Sequence, residues 1–207
     1  MNNQLQTLLE NNPRVWRGKD AGRYLMTGTP TGHPQLDACL PGGGWPTNAI
    51  REMVTPQWGV GELQLLLPLM RTITHQKRWI LWISPPYVPY APALERAGID
   101  MDYVIVIQPD NACKDASWSI EKALQTKACA MVLAWQNGLP SGAIRRLQLA
   151  AETGQSLGVL FRQRNHEHSP AALRLNLKPS ETGVHVEVLK ARGTYQYRSV
   201  HVNLRMH

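Results

Sequence analysis

Apolar positions along this chain fall into two regimes. Between residues 49 and 162, short runs that are apolar on both faces alternate with stretches of helical spacing. RWILWIS (78–84), YVIVIQ (103–108), ACAMVLAW (128–135) and SLGVLFR (156–162) carry no polar face, which predicts strands buried inside a parallel sheet. AIREMV (49–54) alternates apolar and charged residues and predicts a further strand. The intervening stretches read as helices. They are ELQLLLPLMRTITHQK (62–77), with a kink expected at Pro68, and ALERAG (93–98), stopped by Gly98. KDASWSIEKALQTK (114–127) follows, and PSGAIRRLQLAAETG (140–154) begins on Pro-Ser and ends at Gly154. From residue 172 the period becomes two, with Leu173, Leu175 and Leu177 on one face, then Val184, Val186 and Val188, then Val200, Val202 and Leu204.

Ahead of residue 49 the pattern is weaker. Residues 3–10 predict a short helix ended by Asn11, Asn12 and Pro13, 23–28 a strand, and 33–40 a helix. LPGGGWP (40–46) and TPQWGVG (55–61) read as loops without regular structure. The expected architecture is α/β: a mostly parallel sheet flanked by helices, extended by C-terminal antiparallel strands. Its parts are an N-terminal helix and linker (1–22), a core (23–165) and a basic, β-rich extension of the same domain (166–207).

Composition narrows the function classes. At 207 residues the chain can bury a core without disulfides or metals. Cys39, Cys113 and Cys129 are odd in number and widely spaced, which points to a reducing compartment and away from zinc. No apolar run approaches the roughly 20 residues of a membrane helix, and the N-terminus lacks a signal peptide's pattern, so a soluble cytoplasmic protein is expected. The formal charge is +7. Residues 145–207 hold 10 Lys/Arg against 4 Asp/Glu, whereas residues 1–144 hold 12 against 11. A basic last third suits an acidic partner or a solvated surface.

The strand–loop–helix at 49–77 stands where a phosphate-binding loop belongs. Such a loop cradles phosphates with backbone N–H groups, reaches them with a Lys and holds magnesium with a Ser or Thr. Here the loop contains Gly59, and Gly61 can stand for the last glycine, but Glu62 replaces the Lys and Leu63 replaces the hydroxyl. The neighbouring strands end in Ser84-Pro85-Pro86 and Trp135-Gln136-Asn137 where a carboxylate would be needed. No catalytic residue, cofactor or metal site is expected. His166-Glu167-His168 lacks a third ligand.

The segments Met26–Glu52, Gly59–Pro68 and Lys77–Pro86 resemble the ImuA family and its relative SulA. The N-terminal portion 16–54, with its Leu-Asp and Pro-Gly-Gly-Gly pieces, favours ImuA; residues 62–86 alone do not separate the two. The resemblance implies a RecA-like core that has lost its hydrolysis residues. It implies an accessory role in SOS-induced translesion synthesis, bridging ImuB, RecA and an error-prone polymerase, with DNA as a further contact near the nucleoid. The alternative is a SulA-like cell-division inhibitor that binds FtsZ and blocks its polymerisation. Candidate contact residues are Arg145, Arg146, Arg162, Arg164, Arg174, Lys178, Lys190, Arg192 and Arg198. Trp58 and Trp135 can be read as partner anchors or as plain packing.

Overall fold

Six of the strands run parallel because most are followed by a helix that carries the chain back across the sheet. In the computed structural model, which describes Thr7 and residues 28–109, 114–163, 169–192 and 198–204, they join two antiparallel strands in one eight-stranded sheet. The strands are β3 (Ile50–Val54), β4 (Trp79–Ile83), β5 (Val104–Ile107), β6 (Cys129–Trp135), β7 (Leu157–Arg162), β8 (Leu173–Ser180), β9 (Gly183–Ala191) and β10 (Ser199–Asn203). Their order is β10-β9-β8-β3-β7-β6-β4-β5. Within this sheet, among the described residues, only the β8–β9 and β9–β10 pairings are antiparallel. A separate two-stranded ribbon pairs β1 (Gly28–Thr29) with β2 (Trp45–Pro46). The mostly parallel sheet, the flanking helices and the antiparallel C-terminal strands are as the hydrophobic pattern predicts. The expected helix over 3–10 and most of the strand over 23–28 lie outside the described residues.

Helices α1 (Pro34–Cys39) and α2 (Leu67–His75) share one core with the inner face of the sheet. Helices α4 (Lys114–Gln125) and α5 (Ser141–Gly154) share a second core with the other face, while α3 (Ala91–Arg96) links β4 to β5. The period-two tail joins the first core: Leu173, Leu175, Leu177, Val184, Val186 and Val188 are all buried there. At about 1.5–3 kcal/mol for each fully buried aliphatic side chain, this burial fastens β8 and β9 to the first core. Trp135 stacks on Phe161 at 4.5 Å and leans on Trp82 at 5.5 Å, so it is packing and not an anchor. Trp58 also packs, partly buried, on this core.

Several elements differ from expectation. Pro68 does not kink a helix; it sits in the first turn of α2, where its missing N–H costs nothing, and a 3₁₀ turn at Gln64–Leu66 precedes it. The Gly-rich segment is not wholly irregular, since Trp45–Pro46 pairs with Gly28–Thr29. YVIVIQ is not a buried strand. It is the sheet's outer edge, with Ile105 and Val106 about two-fifths exposed. By contrast, α5 ends at Gly154 as expected. Gln155 takes the left-handed turn at φ 52°, and Gly154 is needed because a Cβ there would lie 1.9 Å from the Leu124 carbonyl oxygen.

Candidate functional site

The loop after β3 is closed from within. Gly59 and Gly61 adopt φ of +87° and +110°, conformations that favour glycine. The Glu62 side chain is buried and its Oε1 accepts the Gly59 N–H at 2.8 Å. The carboxylate thus takes a loop N–H of the kind that would otherwise serve an anion. Leu63 packs against the first core instead of facing a metal. Leu204, at the end of the tail, presses on Gly61, its Cδ1 2.5 Å from where a Cβ would stand. The strand ends lacking carboxylates also meet: Gln136 Nε2 donates to Ser84 Oγ at 3.2 Å.

The basic candidates separate into classes that sequence does not distinguish. Arg162 and Arg174 are not surface contacts. They flank Glu52, which is fully buried, with Arg162 Nη1 2.5 Å from Oε1 and Arg174 Nε 2.7 Å from Oε2. Arg162 Nη2 also donates to the carbonyls of Asn137 and Leu139. This triad ties β7, β3 and β8 together and fixes the approach to α5. Arg146 lies 3.6 Å from Glu121, Lys178 2.7 Å from Glu187 and Arg192 3.8 Å from Glu152. Arg198 donates to the Ala38 carbonyl. Arg164, like His166 and His168, lies outside the described residues. Arg145, Arg174 and Lys190 come together around one cavity of about 590 Å³, completed by Ser141, Gly142, Ser169, Pro170 and Leu189.

Two features were not legible beforehand. Glu52 looked like one charge of an alternating strand, yet β3 is buried on both faces. On the opposite face Arg51 is enclosed too, donating to the Pro46 carbonyl and lying over the Trp45 ring at 5.6 Å. Burial without a carboxylate pulls its guanidinium down to about 9. The second feature is the Pro-rich turn after β4. Tyr87, Val88 and Tyr90 are 72%, 91% and 67% exposed, beside the β5 edge. Such a concentration of exposed apolar side chains marks a contact surface more often than an isolated one does. Among the described residues no helix is long and apolar enough to cross a membrane, and no three His, Cys, Asp or Glu residues form a metal-binding group.

Comparison with known proteins gives one consistent result. The family model described as "Cell division inhibitor SulA" matches residues 49–158. Proteins named cell division inhibitor SulA from Yersinia pestis (strain Pestoides F) and Yersinia pseudotuberculosis serotype O:1b (strain IP 31758) are each 33% identical over 102 residues. Those residues are 49% of this chain and 60% of each relative, so the match spans about three fifths of the relatives' length. The crystal structure of SulA from Pseudomonas aeruginosa is 25% identical and covers 55% of this chain and 98% of that one, with a TM-score of 0.45. The family model and the Yersinia relatives overturn the ImuA preference and the translesion accessory role read from sequence, and give no support to ImuB or RecA as partners. That preference rested on residues 16–54, nearly all of which precede the matched region. By its sequence, this chain belongs to the SulA family.

Proposed function

We propose that the chain is a non-enzymatic cell-division inhibitor that binds FtsZ and blocks its polymerisation, made in response to DNA damage. The observation that carries this reading is the family match over residues 49–158, which spans β3 to the start of β7 and so includes the closed loop and the β4–β5 edge. The closed loop supports a binding role over a catalytic one. A carboxylate at Glu62 repels a triphosphate, and Leu204 covers the neighbouring glycine. We read the frame as a RecA-type nucleotide fold that has lost its chemistry: the loop still follows a central parallel strand and still leads into a helix.

The contact surface we assign to FtsZ is the turn bearing Tyr87, Val88 and Tyr90, continuous with the β5 edge. It lies within the matched region, and folding does not use these side chains. Tyr is favoured at protein interfaces because it supplies large contact area at low entropic cost.

The test is assembly of purified FtsZ, followed by light scattering and GTP hydrolysis, with the full chain added in increasing ratio. Suppression of both near equimolar ratio is expected, and Val88→Glu and Tyr90→Glu weaken it about tenfold or more. FtsZ that assembles normally in several-fold excess of a folded chain refutes the reading. Inhibition unchanged in both variants removes the assigned surface while leaving the partner in place.

A further inference from the structure

The exposed turn after β4 is pinned at both ends. In the sheet β4 lies between β5 and β6, and both neighbours hold the base of the turn, Ser84 and Pro85. On the β5 side the Ser84 N–H donates to the Ile107 carbonyl at 2.9 Å, and Gln108 Nε2 donates to the Pro85 carbonyl at 3.0 Å. On the β6 side Gln136, the residue after the strand, donates from Nε2 to Ser84 Oγ at 3.2 Å. Gln136 is itself fixed, since its own N–H donates to the Phe161 carbonyl on β7 at 3.2 Å. Ser84 sits where the chain leaves β4, with a φ of 53°, in the left-handed region that a residue bearing a Cβ enters only at a cost. At the far end of the turn the Tyr90 carbonyl accepts the N–H groups of Ala93 and Leu94, at 3.0 and 3.4 Å, which ties it to α3. Between the anchors lie Pro86, Tyr87, Val88 and Pro89, and the two prolines hold φ at about −65°.

From this geometry we infer that Gln136 is a positioning residue for partner recognition: acting through Ser84, it keeps the turn in the shape that presents Tyr87, Val88 and Tyr90 to FtsZ. The inference deepens the reading of this turn as the FtsZ contact and rests on it. An amide can donate to the serine oxygen, as an ionised carboxylate at the same strand end could not. Burial separates the role from direct contact. At 7% exposure Gln136 has almost no surface to offer a partner, so its effect on binding passes through the turn. What changes is the fraction of molecules already in the binding shape. Loosening the base lowers that fraction, and the apparent Kd rises by the same factor. Loss of one neutral hydrogen bond shifts such an equilibrium about three- to tenfold.

The experiment measures the Kd of the full chain for labelled FtsZ by fluorescence anisotropy, with amide exchange followed by NMR in the same variants. Gln136→Leu is expected to weaken binding about three- to tenfold and to speed exchange of the Ser84 amide, while the amides of β6 and β7 exchange as in wild type. Ser84→Ala is expected to weaken binding in the same range. The double variant should bind no worse than the weaker of the two single variants, because both remove the same bond. Asn137→Ala removes side-chain bonds to Gln163 at the same end of the sheet and is expected to bind as wild type. Wild-type affinity in Gln136→Leu overturns the inference and leaves the FtsZ reading standing. So do fully additive losses in the double variant, which mark independent roles. Weakened binding with exchange quickened across β6 and β7 as much as at Ser84 also overturns it, as general destabilisation. A folded wild-type chain that does not bind FtsZ refutes the reading of the surface, and the inference falls with it.

Discussion

Replacing Glu52 by Gln is the sharpest test of how the sheet is held. The substitution keeps the shape of the side chain and removes its charge. Arg162 and Arg174 are then left beside each other at 2% and 6% exposure with no anion between them. Arg162 keeps its bonds to the carbonyls of Asn137 and Leu139, and the new amide oxygen can accept from one guanidinium, so hydrogen bonding is only partly lost. The main cost is uncompensated buried charge, about 3–5 kcal/mol for breaking a buried ion pair. Against a total stability of about 5–15 kcal/mol, that removes a third or more of the margin in most of the range. For a chain of this length it corresponds to a fall in Tm of about 6–20 °C. Urea unfolding followed by tryptophan fluorescence reads it, and an unchanged m-value confirms that the native state stays compact. The triple variant Glu52→Leu, Arg162→Met, Arg174→Met is expected to recover most of the loss, because apolar packing replaces the whole triad. A loss below about 1 kcal/mol in Glu52→Gln refutes the reasoning, since it means water already reaches the triad.

Three further outcomes follow from the geometry. Gly59→Ala meets open space and costs only the backbone strain of a positive φ, about 1–2 kcal/mol. Gly61→Ala meets the same kind of backbone strain and must also displace the end of the Leu204 side chain, so its denaturation midpoint should lie below that of Gly59→Ala. The Cys129 thiol is pushed up to about 11 by burial, so in the native protein iodoacetamide should modify the half-buried Cys39 and leave Cys129 untouched until urea unfolds the chain, as read by peptide mass spectrometry. Desolvation holds the His33 imidazole below its ordinary value of 6.5 in the folded state. Between the two values the unfolded chain binds more protons, so stability is fully present above pH 6.5 and declines as pH falls through the folded value. His33→Gln should lessen the drop in Tm between pH 7 and pH 5; an unchanged drop shows that other groups account for it.

Much of the candidate chemistry was readable along the chain because it depends on residue type at a fixed local position. Glu62 stands where a lysine is needed, and no tertiary contact alters that charge. What the chain alone did not reveal is where the charge goes, which is onto the Gly59 N–H. The basic residues of the last third were the opposite case. Their sum is a property of sequence, but Arg162 and Arg174 sit inside the protein, whereas Arg145 and Lys190 rim a cavity. Those residues lie on α5, β7, β8 and β9, and only packing brings them within reach of one another. The exposure of YVIVIQ was missed for a related reason. An apolar run predicts a strand, but its place in the sheet order decides whether both faces are covered.

The sequence by itself determined the element types, the parallel core with its antiparallel end and the absence of a lysine and a hydroxyl at the loop, because periodicity and residue chemistry act over a few neighbouring positions. Tertiary structure alone decided the pairing of β8 with β3, the burial of Glu52 between two arginines, the gathering of three cations around one cavity and the exposed turn at the sheet's edge. These depend on which surfaces meet across as many as 160 positions, as between Ala38 and Arg198. Burial and electrostatic pairing at such separations are settled by the packed molecule as a whole.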